Sequence, residues 1–199
     1  MTDLSPHQKS RPTTQAAEGL PRLKWTVADL DRMLEAGIFD EDDRIELIGG
    51  ELVPMSPKGI RHEIVRDELL NFFMRRLAPD LRLSSEVGWR PDTETYLEPD
   101  LLVCPRDQTA ALAPADVVHL IIEVAQSSMA YDTGTKALTY AALGVRDYWV
   151  VNAATLEIRV HRTPSATGYA DASRHSPDVE TVPLLVPALA IRMNDLGIE

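Results

Sequence analysis

The chain has 199 residues, with 20 Lys and Arg against 31 Asp and Glu, a formal net charge of −11, and 44% hydrophobic residues. That length supports a packed core in one domain, and no apolar stretch reaches the roughly 20 residues that span a bilayer. The acidic excess excludes a protein that coats nucleic acid non-specifically, which needs clustered Lys and Arg, but leaves room for an enzyme that meets nucleic acid along one local groove.

Residues 1–22 are polar, carry Pro and Thr, and lack a hydrophobic signal core, so a disordered leader and a cytoplasmic protein are expected. Residues 23–199 are expected to form one domain. "TVADLDRMLEAG" reads as a short amphipathic helix, with Thr26 and Asp29 in a capping-box pattern and Gly37 as the stop. "RIELIGGELVPM" reads as a β-hairpin turning at Gly49-Gly50. From Ile60 to about Leu77, apolar residues at Ile64, Leu69, Phe72, Phe73 and Leu77 approach helical spacing and predict the longest helix.

Three strands are expected next, in "LRLSSEVGW", "PDLLVCP" and "VVHLIIEVA". The first alternates and belongs toward an edge; the other two are nearly continuous apolar runs, as in strands covered on both faces. Cys104 lies in the second. A lone thiol excludes an internal disulfide and a Cys-type zinc site, so Cys104 reads as a small core residue. "YDTGTKALTYAALG" predicts a helix ended by Gly144, and "RDYWVVN" a strand. A further hairpin is expected from "TLEIRVHR" to about Glu180, followed by an apolar, Pro-punctuated segment that packs on the core. The order predicts an α/β (α+β) fold, a mixed sheet flanked by helices and preceded by a helix and a hairpin.

Two of these strands carry one carboxylate each, Asp100 and Glu123. An ionised group inside a buried strand costs several kcal/mol unless a cation or hydrogen bonds compensate it. Alternation places Glu123 on the face of Ile121 and Ala125. If Asp100 faces the same way, two carboxylates converge, and the pair suits Mg²⁺ or another hard divalent ion better than zinc. On the following helix Asp132, Lys136 and Tyr140 recur every four residues, so Lys136 is expected to reach back toward the carboxylates with Tyr140 bracing it.

The run "LIIEVAQSSMAYDTGTKALTYAALGVRDYWVVN", with "EPDLLVCP" before it and "RIELIGGELVPMSP" earlier, resembles the Uma2 (DUF820) family of the PD-(D/E)XK nuclease superfamily. The resemblance runs from about Thr26 to the C-terminus. It implies a restriction-endonuclease-like αβββαβ core and a Mg²⁺- or Mn²⁺-dependent endonuclease that hydrolyses phosphodiester bonds, with DNA as the expected substrate. By position it implies metal contacts from Asp100, Glu123, Glu46 and the Val124 carbonyl. Ala125 stands where the superfamily usually has its lysine, and Lys136 takes that role. His62 matches a histidine expected near metal-bound water or phosphate. The chain departs from the family at Ser127-Ser128-Met129, where Ser-Pro-Ser or Ser-Pro-Thr is common, and at Asn152, usually acidic.

Plainer roles remain open from the residues alone. Asp100 after Pro99 suits a strand-entry turn. Asp132 and Lys136 suit an exposed ion pair. Glu46 in a hairpin and His62 at a helix start default to solvent. Tyr148 and Trp149 read as core and interface aromatics, and with the apolar C-terminus they point to a homodimer. Two other functions compete with the endonuclease: a catalytically latent, nuclease-fold binding or regulatory module, and a metal phosphodiesterase of small nucleotides.

Overall fold

The computed structural model describes residues 23–39 and 43–198; the expected leader, 1–22, lies outside them. Helix α1 (Val27–Glu35) starts as its sequence dictates. The Thr26 hydroxyl accepts from the Asp29 amide, and the Asp29 carboxylate accepts from the Thr26 amide. Strands β1 (Ile45–Ile48) and β2 (Glu51–Pro54) form the predicted hairpin. Its turn residues, Gly49 and Gly50, have φ of +57° and +85°, which suits a type I′ connection and excludes most side chains. Two hydrogen bonds between Leu47 and Tyr96, each 2.8 Å, then dock β1 against the segment that follows β3.

Helix α2 (Ile60–Met74) ends a turn earlier than expected, and its inward face differs. His62, Val65, Leu69 and Phe73 are buried, whereas Ile60 and Ile64 are largely exposed. The stripe at positions 62, 65, 69 and 73 keeps the i, i+3, i+4 spacing, so a histidine takes a place that an apolar-only reading gives to Ile64.

A six-stranded sheet forms the centre. Strands β3 (Leu81–Ser85), β4 (Leu101–Pro105), β5 (Leu120–Ala125), β6 (Asp147–Asn152), β7 (Ile158–Ser165) and β8 (Gly168–His175) lie in that spatial order. Only β5 and β6 pair in parallel, joined through a helical crossover; the other neighbours are antiparallel. The crossover consists of a turn, α3 (Met129–Tyr131), a π-helical turn over Asp132–Lys136, and α4 (Ala137–Leu143), which Gly144 ends at φ +91°.

Strand alternation divides the core in two. Leu120, Ile122 and Val124 face a cluster with Val65, Leu69 and Phe73 of α2 and Trp149 of β6. Ile121 and Ala125 face the other cluster, with Ala137 and Tyr140 of the crossover, Trp89, Cys104 and Tyr148. Each fully buried large apolar side chain contributes about 1.5–3 kcal/mol, so the sheet is held from both faces. The C-terminal segment packs on the first cluster through Val186, Leu189, Ile191 and Met193. Asp147, fully buried, anchors that segment by accepting from the Leu184 amide, the Arg162 guanidinium and the Trp149 indole. Tyr148 and Trp149 have no exposed surface. They are core residues only, and the expectation that they contribute to an interface between copies is corrected.

Candidate active site

Glu123 sits on β5 on the face of Ile121 and Ala125, as alternation requires. Leu101 pairs with Ile122 and Leu102 with Ile121, and the same register carried one step further sets Asp100 opposite Glu123. Both line one cleft of about 470 Å³, together with Glu46, His62, Asp132 and Lys136. The six side chains are all buried, so the readings that leave Glu46, His62 or the Asp132–Lys136 pair in solvent do not hold.

Lys136 is the centre of one half. Its ammonium lies 2.9 Å from Glu46 Oε1 and 3.0 Å from Glu123 Oε1. The Tyr140 hydroxyl donates to the same Glu123 oxygen at 2.8 Å, so Tyr140 braces the carboxylate rather than the lysine. Glu46 is held further by the Tyr131 hydroxyl at 3.3 Å and the Glu98 amide at 3.4 Å. Asp132 accepts from Ser128 Oγ at 2.5 Å, and its backbone carbonyl accepts from the Tyr148 hydroxyl at 2.9 Å. The wide π-helical turn carries both Asp132 and Lys136 inward; such turns often occur at functional sites.

Asp100 organises the other half. Its Oδ2 accepts from the Val124 amide at 2.8 Å and lies 3.0 Å from His62 Nε2, while Oδ1 accepts from Lys58 Nζ at 2.8 Å. A carboxylate only accepts, so Nε2 carries the hydrogen. Nδ1 of His62 is buried without a hydrogen bond among the described residues, since Glu63 Oε1 at 3.6 Å is too far. The His62 amide donates to Gln126 Oε1 at 3.0 Å, and Gly59 leaves room for that amide side chain. Val124 thus meets Asp100 through its N–H, a contact the sequence did not suggest.

Protonation follows from this crowding. Burial pushes the Asp100 carboxyl upward, but the His62 hydrogen bond and the Lys58 charge outweigh it and hold the group well below the usual carboxylate range. Glu123 goes the other way: burial, with the charges of Asp100, Asp132 and Glu46, outweighs Lys136 and pushes it up to about 8. Burial also raises Asp132. Burial opposes the charge on Lys136, yet the surrounding carboxylates raise it well above an ordinary lysine. Glu123 and Lys136 both therefore favour their protonated forms near neutral pH, and Glu46 is the carboxylate that Lys136 neutralises most directly.

The donor set fits a hard divalent cation. Glu46, Asp100, Glu123 and Asp132 offer four carboxyl groups to two ammonium groups, and oxygen is the ligand such ions prefer. Among the described residues, however, no three His, Cys, Asp or Glu side chains already stand arranged around a common metal position. Lysine nitrogens instead bond to oxygens of Glu46, Glu123 and Asp100, and the Ser128 hydroxyl to Asp132.

Several contributors escaped the sequence reading. Lys58, Gln126, Tyr131 and Glu98 act only through tertiary contacts, whereas Ser128 acts locally on Asp132 four residues on; the single sequence signal is that Ser128 and Tyr131 flank the Asp132 turn. Asn152 serves a turn, accepting from the Ala154 and Thr155 amides. Cys104 is buried and pairs with no other cysteine. Some of the basic residues between Lys58 and Arg90 are tied to carboxylates, as where Arg66 binds Glu63, Asp67 and Glu86.

A mixed sheet between helices, with acidic side chains and a lysine gathered at one end, is a restriction-endonuclease-like architecture. The family model described as "Uma2: Putative restriction endonuclease" matches residues 27–194, and the chain belongs to the Uma2 family. A crystal structure of "a putative nuclease belonging to DUF820" from Anabaena variabilis ATCC 29413 is similar in fold. It superposes with a TM-score of 0.64 at 18% identity, covering 84% of this chain and 96% of that one. No curated protein matches. Among the described residues no helix is long and apolar enough to cross a membrane.

Proposed function

We propose that the protein is a Mg²⁺- or Mn²⁺-dependent endonuclease that hydrolyses phosphodiester bonds of DNA. The observation that carries this reading is the convergence of Glu46, Asp100 and Glu123, from three separate strands or their ends, on one cleft where buried Lys136 reaches two of them. Glu46, Asp100 and Glu123 would hold the ion, whose chemistry is to polarise a phosphoryl oxygen and lower the pKa of a bound water. The Val124 carbonyl is a further proposed ligand. Hydrolysis forms a bond from water oxygen to phosphorus and breaks a bond from phosphorus to a sugar oxygen, which leaves with a proton. Lys136 orients the attacking water and offsets the negative charge that grows on the phosphate; in a buried site such fixed charge acts strongly. Tyr140, Tyr131 and the Glu98 amide keep the carboxylates around that lysine from rotating. His62 and the Val124 amide fix Asp100.

The test is cleavage of supercoiled plasmid in Mn²⁺ by the wild-type protein beside Glu123→Gln and Lys136→Met. Nicking by the wild type and loss in both variants is expected. Cleavage retained by the variants would assign it to a contaminant and overturn the reading.

One observation favours a latent binding or regulatory module instead: Lys136 and Lys58 already bond to Glu46, Glu123 and Asp100, and among the described residues no metal position is preassembled. Calorimetric titration with Mn²⁺ separates the two. Binding abolished by Asp100→Ala supports the nuclease, whereas no binding supports the module.

A further inference from the structure

Lys58 lies on the loop between β2 and α2, outside the family motifs. Asp100 Oδ2 is already occupied by the Val124 amide and the His62 ring, and Oδ1, the remaining oxygen, bonds to the Lys58 ammonium at 2.8 Å. A divalent ion that takes Oδ1 must therefore meet this ammonium. Lys136 is bonded to two of the proposed metal ligands, whereas the Lys58 nitrogen also binds a carboxylate outside that set, Glu86. Glu86 is held there: Arg66 Nη1 sits 2.6 Å from its Oε2, and its amide bonds to the Asp100 carbonyl at 3.3 Å. Its backbone has φ of +51°, a left-handed conformation that disfavours a glutamate and persists only where surroundings impose it. Asp100 and Glu86 thus present two carboxylates to one lysine, one in the metal cleft and one beside it.

We propose that Lys58 is the resident counter-cation of the metal site. It neutralises buried Asp100 when no divalent ion is bound, and it withdraws onto Glu86 when an ion takes Oδ1. The inference rests on the metal-dependent reading above. It also accounts for carboxylates that converge without forming a ready cage: a cage of bare buried charges would destabilise the fold, and a lysine that can step aside removes that cost.

The experiment is calorimetric titration of the full chain with Mn²⁺, comparing wild type, Lys58→Met and Glu86→Gln. Like charges a few ångströms apart repel strongly inside a protein, so Lys58→Met is expected to bind Mn²⁺ about tenfold tighter or more. Glu86→Gln leaves Lys58 to Asp100 alone and is expected to bind severalfold weaker. A merely structural lysine would not raise affinity on removal. Lys58→Met that folds and binds Mn²⁺ like wild type, or more weakly, overturns the proposal while leaving the metal site standing. No binding by wild type and Lys58→Met alike overturns the metal site itself and the proposal with it. Should Lys58→Met not fold, Glu86→Gln decides: weaker binding upholds the proposal, and unchanged or tighter binding overturns it.

Discussion

Replacing Lys136 by Met removes the one ammonium shared by Glu46 and Glu123. The side chain is 5% exposed and its ammonium lies 2.9 and 3.0 Å from the two carboxyl groups, so solvent cannot take over its role. Breaking a buried ion pair by deleting one partner costs about 3–5 kcal/mol per pair. Because burial pushes Glu123 up to about 8, that group keeps its proton at pH 7, and the deletion uncovers mainly the charge of Glu46. One pair is lost rather than two, and the expected loss is about 3 kcal/mol. For a domain of this size each kcal/mol shifts Tm by about 2–4 °C, so a fall of about 6–12 °C at pH 7 is predicted. Glu123 is an acid whose folded value is raised above the unfolded one, so the folded state holds the extra proton. Stability from this group is full at low pH and is lost as pH rises toward 8. Without Lys136, whose charge lowers Glu123, that group keeps its proton to higher pH, so the deficit of Lys136→Met should widen above pH 8, where the wild type gains an ionised Glu123–Lys136 pair and the variant cannot. Calorimetric melting of wild type and variant at pH 7 and 9 measures both quantities. A Tm within 2 °C of wild type at pH 7, a margin of about 1 kcal/mol or less, would refute the reasoning.

Two further outcomes are expected. Gly59→Ala sets a Cβ 2.5 Å from Gln126 Oε1, which must swing away and release the His62 amide; plasmid cleavage should fall about tenfold, as one modest misplacement of a positioning group allows, while Tm moves little, and unchanged cleavage would show that Gln126 has no part in placing His62. His161 packs at a tilt against both Tyr148 and Tyr169, and burial, assisted by Arg159, lowers its pKa. The folded state then binds fewer protons than the unfolded, so stability is lost as pH falls below about 6.5, and His161→Phe should flatten the Tm profile between pH 7 and 5; an unaltered slope would assign the acid sensitivity to other groups.

What the sequence reveals depends on how local the cause is. Asp100 and Glu123 are legible because a charge inside an apolar strand run demands a partner, and alternation already puts Glu123 on the right face. The capping box at Thr26 and the Gly49-Gly50 turn are equally local. Glu46 is different: its hairpin alternates like any exposed ribbon, and only docking of Leu47 on Tyr96 buries it, so the family resemblance rather than the pattern points to it. His62 hides for a related reason, since it takes a core-facing helical position that hydrophobic spacing alone assigns to Ile64. Lys58 is illegible outright, because nothing in a loop lysine foretells a carboxylate 42 residues further along the chain.

The solitary thiol at position 104 offers a practical consequence. It lies on β4, beside the edge strand β3, with no accessible surface, and burial makes its thiol harder to ionise. Reagents that modify thiols should therefore find nothing to attack until the strands part, which makes the native chain its own gauge of opening, with no label added.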